Sequence, residues 1–319
     1  MRGSSNDPLV VRTVRSGLTE SLDDATAVVV DADGRVLASW GDPDTPLYYR
    51  SAIKPIQASV SQELGAALVP EHLAVACSSH SGHPVHLEIV RAMLRSGGLT
   101  EADLGTPPSW PLAEAAKALL LSTGHRAPLP VYHNCSGKHA GFLLACVAQG
   151  WPVDTYRSPD HPLQRRVLAT VAEATGQPVE PVGIDGCGAP TLRGSCRGLA
   201  TAFAAMTVDR RFAEVASATS RFPSLVAGNE RPDGRLGAWW GGPLKAGAEG
   251  LIGAARHGVG IAAKSRSGSS SVAVMAMIEV MRSMGLLSGA AIEALQDLAT
   301  PPVLGGGDPV GSRTVDGSA

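Results

Sequence analysis

The segments with the strongest β character stand at opposite ends of the chain, at 9–15 and 26–39 and again at 251–256 and 259–264, with helical patterning between them. A lone hairpin is marginal in water, and each strand edge must find partners for its amides and carbonyls. The two ends are therefore expected to join in one antiparallel sheet covered by helices, an α/β chain of the α+β type. Asp33-Gly34 is a turn signal inside 26–39, and His257-Gly258 divides the later pair.

Between the ends, Ile53, Ile56, Val60 and Leu64 recur at helical spacing, which predicts a helix over 51–64 with Ser51 near its start. Residues 71–79 read as a buried segment ending in Cys77-Ser78-Ser79-His80-Ser81-Gly82. Helices are expected near 83–96, 111–121, 140–148, 162–175, 197–206, 209–220, 271–284 and 289–299. The glycine-rich stretch 182–190 reads as a loop. No linker interrupts 1–319, which is expected to form a single catalytic unit with loose tails at 1–8 and from 301, where Gly305-Gly306-Gly307 lies.

A net charge of -2, from 27 basic and 29 acidic residues without a basic tract, lacks the electrostatic footprint of a nucleic-acid binder. The first eight residues hold no apolar run, and no stretch reaches the roughly 18 apolar residues of a membrane span. A cytoplasmic protein is expected. Its five cysteines, an odd number without a secretion signal, read as thiols or metal ligands and not as a disulfide framework.

Ser51-Ala52-Ile53-Lys54 places a hydroxyl and an amine on one face of a helix. Serine is a poor nucleophile until a base takes its proton, and lysine can be that base once burial or a second cation lowers its pKa. Ser-x-x-Lys also arises by chance, so the pattern alone does not assign a site. Ser79 and His80 offer a second hydroxyl and a base, or simply helix caps. Cys135, Lys138 and His139 lie together and Cys187 follows Asp185 by two residues; these are core thiols or ligands of a metal, with no zinc-finger spacing. Gly137-Lys138-His139 lacks the remaining residues of a P-loop, His86-Leu87-Glu88 lacks the Pro-Cys-x-x-Cys of a zinc deaminase, and Gly183, Gly186 and Gly188 are out of order for a dinucleotide site, so no organic cofactor is expected.

Five blocks occur in one order: Arg-Ser-Ala-Ile-Lys-Pro-Ile-Gln at 50–57, Cys-Ser-Ser-His-Ser-Gly at 77–82, Asn-Cys-Ser-Gly-Lys-His-Ala-Gly at 134–141, Asp-Gly-Cys-Gly-Ala-Pro-Thr at 185–191 and Gly-Ile-Ala-Ala-Lys at 260–264. Over about residues 10–300 the chain resembles the rhizobial-type (class 3) L-asparaginases. The resemblance implies a fold related to serine β-lactamases and glutaminases, and hydrolysis of the L-asparagine side-chain amide. It implies two Ser–Lys tandems, Ser51 with Lys54 and Ser79 with Lys264. It further implies a zinc ion on Cys135, Lys138 and Cys187, substrate contacts from Arg50, Asp185 and His139, and a homodimer.

Segment 228–250 keeps only part of the family's glycine-rich pattern. Other readings are a glutaminase, a penicillin-interacting serine hydrolase, which the missing Lys-Thr-Gly and Ser-Asp-Asn disfavour, and a non-catalytic module binding zinc or an amino acid.

Overall fold

Strand β1 (Leu9–Arg15) buries Leu9, Val11 and Thr13 on alternate positions, the period of a half-covered strand. The computed structural model describes residues 5–316. Strand β2 (Leu18–Val30) is longer than its apolar core suggests, because its acidic first half continues as an exposed ribbon along β1. Its second half is buried on both faces and pairs with β3 (Val36–Trp40) across the Asp31–Gly34 turn and with β10 (Val259–Ser265) on the other edge.

Two small pairings tie down loops that matter below. Strand β4 (Leu47–Tyr48) pairs with β7 (Arg193–Gly194), and β5 (Gly183–Ile184) pairs with β6 (Pro190–Thr191). In the main sheet, β8 (Leu244–Gly247) and β9 (Leu251–Arg256) extend from β10. On the opposite side β11 (Pro302–Gly305) and β12 (Asp308–Asp316) extend from β1. The antiparallel order β11-β12-β1-β2-β10-β9-β8 thus alternates chain ends, as the terminal strand patterns require.

The expectation of a loose tail from 301 is incorrect. Residues 302–316 form a hairpin whose second strand runs beside β1 from Val10 to Arg15, and Val303 and Val315 are buried. Gly306 and Gly307 have positive φ and make the turn, so the glycines that suggested looseness are what a tight reversal needs. In the 1–8 segment, residues 1–4 lie outside the described residues, and Ser5 bridges to Trp40.

Alternation along the central strands feeds two cores. Val28, Val30 and Ala262 enter one, while Ala27, Val29, Ile261 and Ala263 enter the other. The first core is covered by α1 (Lys54–Glu63), α2 (Pro70–Ala76), α3 (Pro84–Ser96), the rim helix α4 (Glu114–Ser122), α5 (Ser136–Gln149), α6 (Pro162–Thr175), α7 (Cys196–Met206), α8 (Ala213–Arg221) and α9 (Pro223–Val226). The second lies under α10 (Pro232–Trp240) and α11 (Ser270–Ser283). The segment 71–79 is thus mainly helix: Pro70 and Glu71 start α2, and a short apolar run does not by itself distinguish strand from helix. No helix among the described residues is long and apolar enough to cross a membrane.

Candidate active site

Strand β4 delivers the chain into a single 3-10 turn over Arg50–Ile53 that runs directly into α1. Arg50 occupies the left-handed region at φ 47°, a conformation that costs a non-glycine residue roughly 1–2 kcal/mol. It turns the chain sharply and leaves Ser51 only partly buried at the helix entrance. Gly247 of β8 packs against this turn: a Cβ there would stand 2.9 Å from the Ala52 amide nitrogen. Residues i and i+2 of a strand share a face, so the face of β8 that meets the serine turn also carries Lys245.

A second close approach brings in the remaining groups. A Cβ on Gly137 would lie 2.3 Å from the Val75 carbonyl, so the first turn of α5 seats directly on the end of α2. Cys135 is thereby placed beside the Ser78–Ser79 segment that leaves α2.

At the meeting point the Lys54 amine is buried and donates to three acceptors, the Ser78 carbonyl at 2.6 Å, Ser79 Oγ at 3.1 Å and Cys135 Sγ at 3.2 Å. Lys245 Nζ lies 3.2 Å from the same Ser79 Oγ and also donates to the Ala246 carbonyl. Ser79, 5% exposed, is therefore held between two lysines. Burial, then the Lys54 and Arg231 charges, lower the pKa of Lys245 to about 7 against the pull of Asp233. Arg231 also donates to the Ser79 carbonyl at 2.7 Å and pairs with Asp233.

Ser51 and Lys54 stand at the two ends of the 3-10 turn, where the Lys54 amide donates to the Ser51 carbonyl, but among the described residues no side-chain hydrogen bond joins them. Lys264 is not beside Ser79. Strand order is the reason: β8, which lines the serine turn, is two strands from β10, about 10 Å away at ordinary strand spacing. The Lys264 amine instead donates to the Ser265 carbonyl, and its side chain lines a separate cleft with Cys196. Lys245 is the residue that sequence reasoning missed. Its signal was Lys245-Ala246-Gly247, one residue different from the Lys-Thr-Gly that accompanies Ser-x-x-Lys in serine β-lactamases.

Beside the lysines, ligand atoms of Cys135, Asp185 and Cys187 lie within 4.8 Å of one another, and Lys138 Nζ is 3.3 Å from Cys187 Sγ. Interaction with Cys187 outweighs burial and, with the Lys54 and Lys138 charges, holds the Cys135 thiol well below its ordinary pKa. Burial would lower the Lys138 pKa, but Cys187, Cys135 and Asp185 raise it. Burial likewise opposes ionisation of Asp185, yet its hydrogen bond from Arg50 and the Lys138 charge bring it down to about 2. Two thiolates on one tetrahedral zinc stand about 3.8 Å apart, so this buried pair, with the adjacent amine and carboxylate, fits zinc in spacing and donor chemistry.

His139 does not face open space. It is fully buried, with Nδ1 2.6 Å from the Tyr156 hydroxyl and its ring adjacent to Cys187, and burial lowers its pKa to about 4. Its ring interacts with the Cys187 thiol. His80, next to Ser79, is buried with Nε2 2.8 Å from Ser136 Oγ; because that hydroxyl donates to the Val131 carbonyl, the ring nitrogen is the donor.

A partly exposed serine on a strained turn, with lysines buried behind it, has the parts of a serine-dependent hydrolase. Residues 11–315 match the family model L-asparaginase II, and the chain belongs to this family. No curated protein matches the chain. Similar solved structures include "Mglu in its glutamate form", 15% identical over 82% of this chain and 61% of that one with a TM-score of 0.47. The native form of Mglu is 14% identical over 84% and 66%, with a TM-score of 0.46. In 4.3 M NaCl it is 15% identical over 84% and 62%, at 0.48. The chain thus spans less than two thirds of the length of these structures, from 61% to 66%.

Proposed function

We propose that the protein hydrolyses the side-chain amide of L-asparagine to L-aspartate and ammonia through an acyl-serine on Ser51. The observation that carries this reading is the Ser79 hydroxyl held between Lys54 and Lys245, with Lys245 titrating near neutrality. Lys54 donates to three acceptors and in that state has no lone pair with which to activate anything. Neutral Lys245 relieves this: Ser79 gives its proton to Lys245 and takes one from Lys54. Lys54, now neutral, accepts the Ser51 proton as Oγ attacks the amide carbon. The proton then passes to the leaving nitrogen, ammonia departs, and water cleaves the ester by the same groups.

Ser51 is assigned the attack because it is accessible, whereas Ser79 is enclosed between the lysines. The paired charges of Arg50 and Asp185 beside it suit the α-carboxylate and α-ammonium of an amino acid. Zinc held by Cys135, Cys187 and Lys138 would supply structural order to the two loops flanking that pair. Asparagine and glutamine differ by one methylene, a discrimination worth roughly 1–3 kcal/mol, so both belong in the assay.

Ammonia release by the purified chain and its Ser51→Ala variant tests the route, together with peptide mapping of enzyme quenched with acid during turnover. An aspartyl ester on Ser51 and an inactive variant are expected. An ester on Ser79 would move the nucleophile there, and normal turnover by the variant would end the acyl-Ser51 mechanism. Cleavage of a β-lactam in preference to asparagine would replace the substrate assignment.

A further inference from the structure

The sheet face that packs under α7 carries Val28, Val30 and Ala262 into the first core. Further along the same two strands, Lys264 stands opposite Thr26, and the Arg266 amide bonds the Asp24 carbonyl. Helix α7 begins at Cys196 and does not continue over this end of the sheet. The result is a cleft of about 530 Å³ lined by Asp24, Thr26, Lys264 and Arg266, with Cys196 at its base and Asp42 on the facing loop. That volume is in the range of small-molecule sites. It shares no lining residue with the cluster around Ser51, Lys54, Ser79 and Lys245.

Its charges are only loosely paired among the described residues, with Glu249 and Asp23 acting on Lys264 from beyond ion-pair distance. Lys264 is partly buried, and among the described residues no carboxylate lies within ion-pair distance of its amine, which is bonded to the Ser265 carbonyl. Among the described residues Asp24 reaches only Arg266, at 4.0 Å, and the Arg266 side chain is largely exposed. Asp42 accepts from the Asp44 amide and the Thr45 hydroxyl, bonds that leave its negative charge uncompensated. A half-desolvated cation without a directly paired counter-ion favours an anion, and carboxylates across the same cleft favour a cation.

We propose that this cleft is a second binding site for a free α-amino acid, taking its carboxylate on Lys264 and Arg266 and its ammonium on Asp24 and Asp42. The ligand is recognised by carrying both charged groups on one carbon. Such a site answers to amino-acid concentration independently of turnover, and it does not depend on the reaction proposed for Ser51.

Calorimetric titration of the full chain with L-aspartate tests the proposal. The wild-type isotherm is expected to contain a site whose dissociation constant rises at least tenfold in both Lys264→Met and Asp24→Asn but is unchanged in Arg50→Met. Lys264→Arg, which keeps the charge, should retain it and shows that loss in Lys264→Met is not a folding defect. Acetate and ethylammonium, each carrying one of the two charges, should bind at least tenfold more weakly. Absence of a site with this mutational signature, or acetate binding as tightly as aspartate, would overturn it.

Discussion

The amine of Lys245 lies 3.2 Å from the hydroxyl of Ser79, a contact between residues 166 positions apart in the chain. Burial and the neighbouring Lys54 charge leave Lys245 titrating at about 7. If this amine is the proton sink, activity should rise with pH through about 7 as it becomes neutral. Lys245→Met is expected to lose on the order of 10²–10⁴-fold in kcat, the usual worth of a positioned base. Lys245→Arg should fare no better, because a guanidinium keeps its proton. A pH–rate profile lacking the acidic limb near 7 would count against the assignment.

The same depressed pKa has a consequence for stability, and its sign is fixed. The unfolded chain binds a proton at this lysine up to about pH 10.4, whereas the folded chain releases it near 7, so between those values the unfolded state holds more protons and stability rises with pH. Below pH 7 the penalty is at its full size, on the order of 4–5 kcal/mol before the lost hydrogen bonds are counted. Lys245→Met should therefore be inactive yet melt higher than wild type at pH 7, with the difference shrinking toward pH 10. Thermal unfolding at a series of pH values reads this directly.

Arg231 and Asp233 act on Lys245 with opposite signs. Arg231 lowers its pKa and holds the Ser79 carbonyl at 2.7 Å, while Asp233 raises it. Arg231→Met should move the acidic limb of the rate profile upward and cost activity through loss of the Ser79 contact. Asp233→Asn should move the limb downward. Shifts in the same direction in both variants would show that the pair tunes packing and not charge.

Cys135 is a shared acceptor, contacted by Lys54 at 3.2 Å and grouped with Cys187 and Asp185. If zinc binds here, Cys135→Ser and Cys187→Ser should each reduce zinc affinity by at least about 100-fold, since both thiolates are direct ligands. Elemental analysis of dialysed protein measures this. Chelation should raise KM more than it lowers kcat, because the metal is assigned to order and not to bond cleavage. A kcat loss as complete as that of Ser51→Ala would contradict that assignment.

How much of this was legible in the chain follows from which interactions are local. The β character of 9–15 and 251–264 and the helical spacing around Ile56 and Val60 are neighbour patterns, and they carried over to strands and to α1. The proximity of Cys135 and Cys187 was legible only through the order of the family's motifs, since the 51 intervening positions carry no geometry. Lys245 was missed and Lys264 put in its place because both are lysines on late strands. Only the order of β8, β9 and β10 in the sheet separates them, and strand order is a property of pairing, not of either lysine's surroundings in sequence.

The C-terminal hairpin went unread for a related reason, and its role can be tested by deletion. In β12, Asp308–Asp316, only one residue is fully buried, so it shows little hydrophobic pattern. Its contribution is to pair the edge of β1 from Val10 to Arg15, with Arg12 bonded to the Asp316 carboxylate as well. A chain ending at residue 301 would expose the row of amides and carbonyls along β1 and uncover the second core at Val11. The truncated protein is expected to lose several degrees of melting temperature and to associate through the free edge. Size-exclusion chromatography and thermal unfolding of the two chains side by side measure both effects. A truncation as stable and as dispersed as the full chain would show that β1 needs no cover, and that the hairpin is an accessory to the sheet.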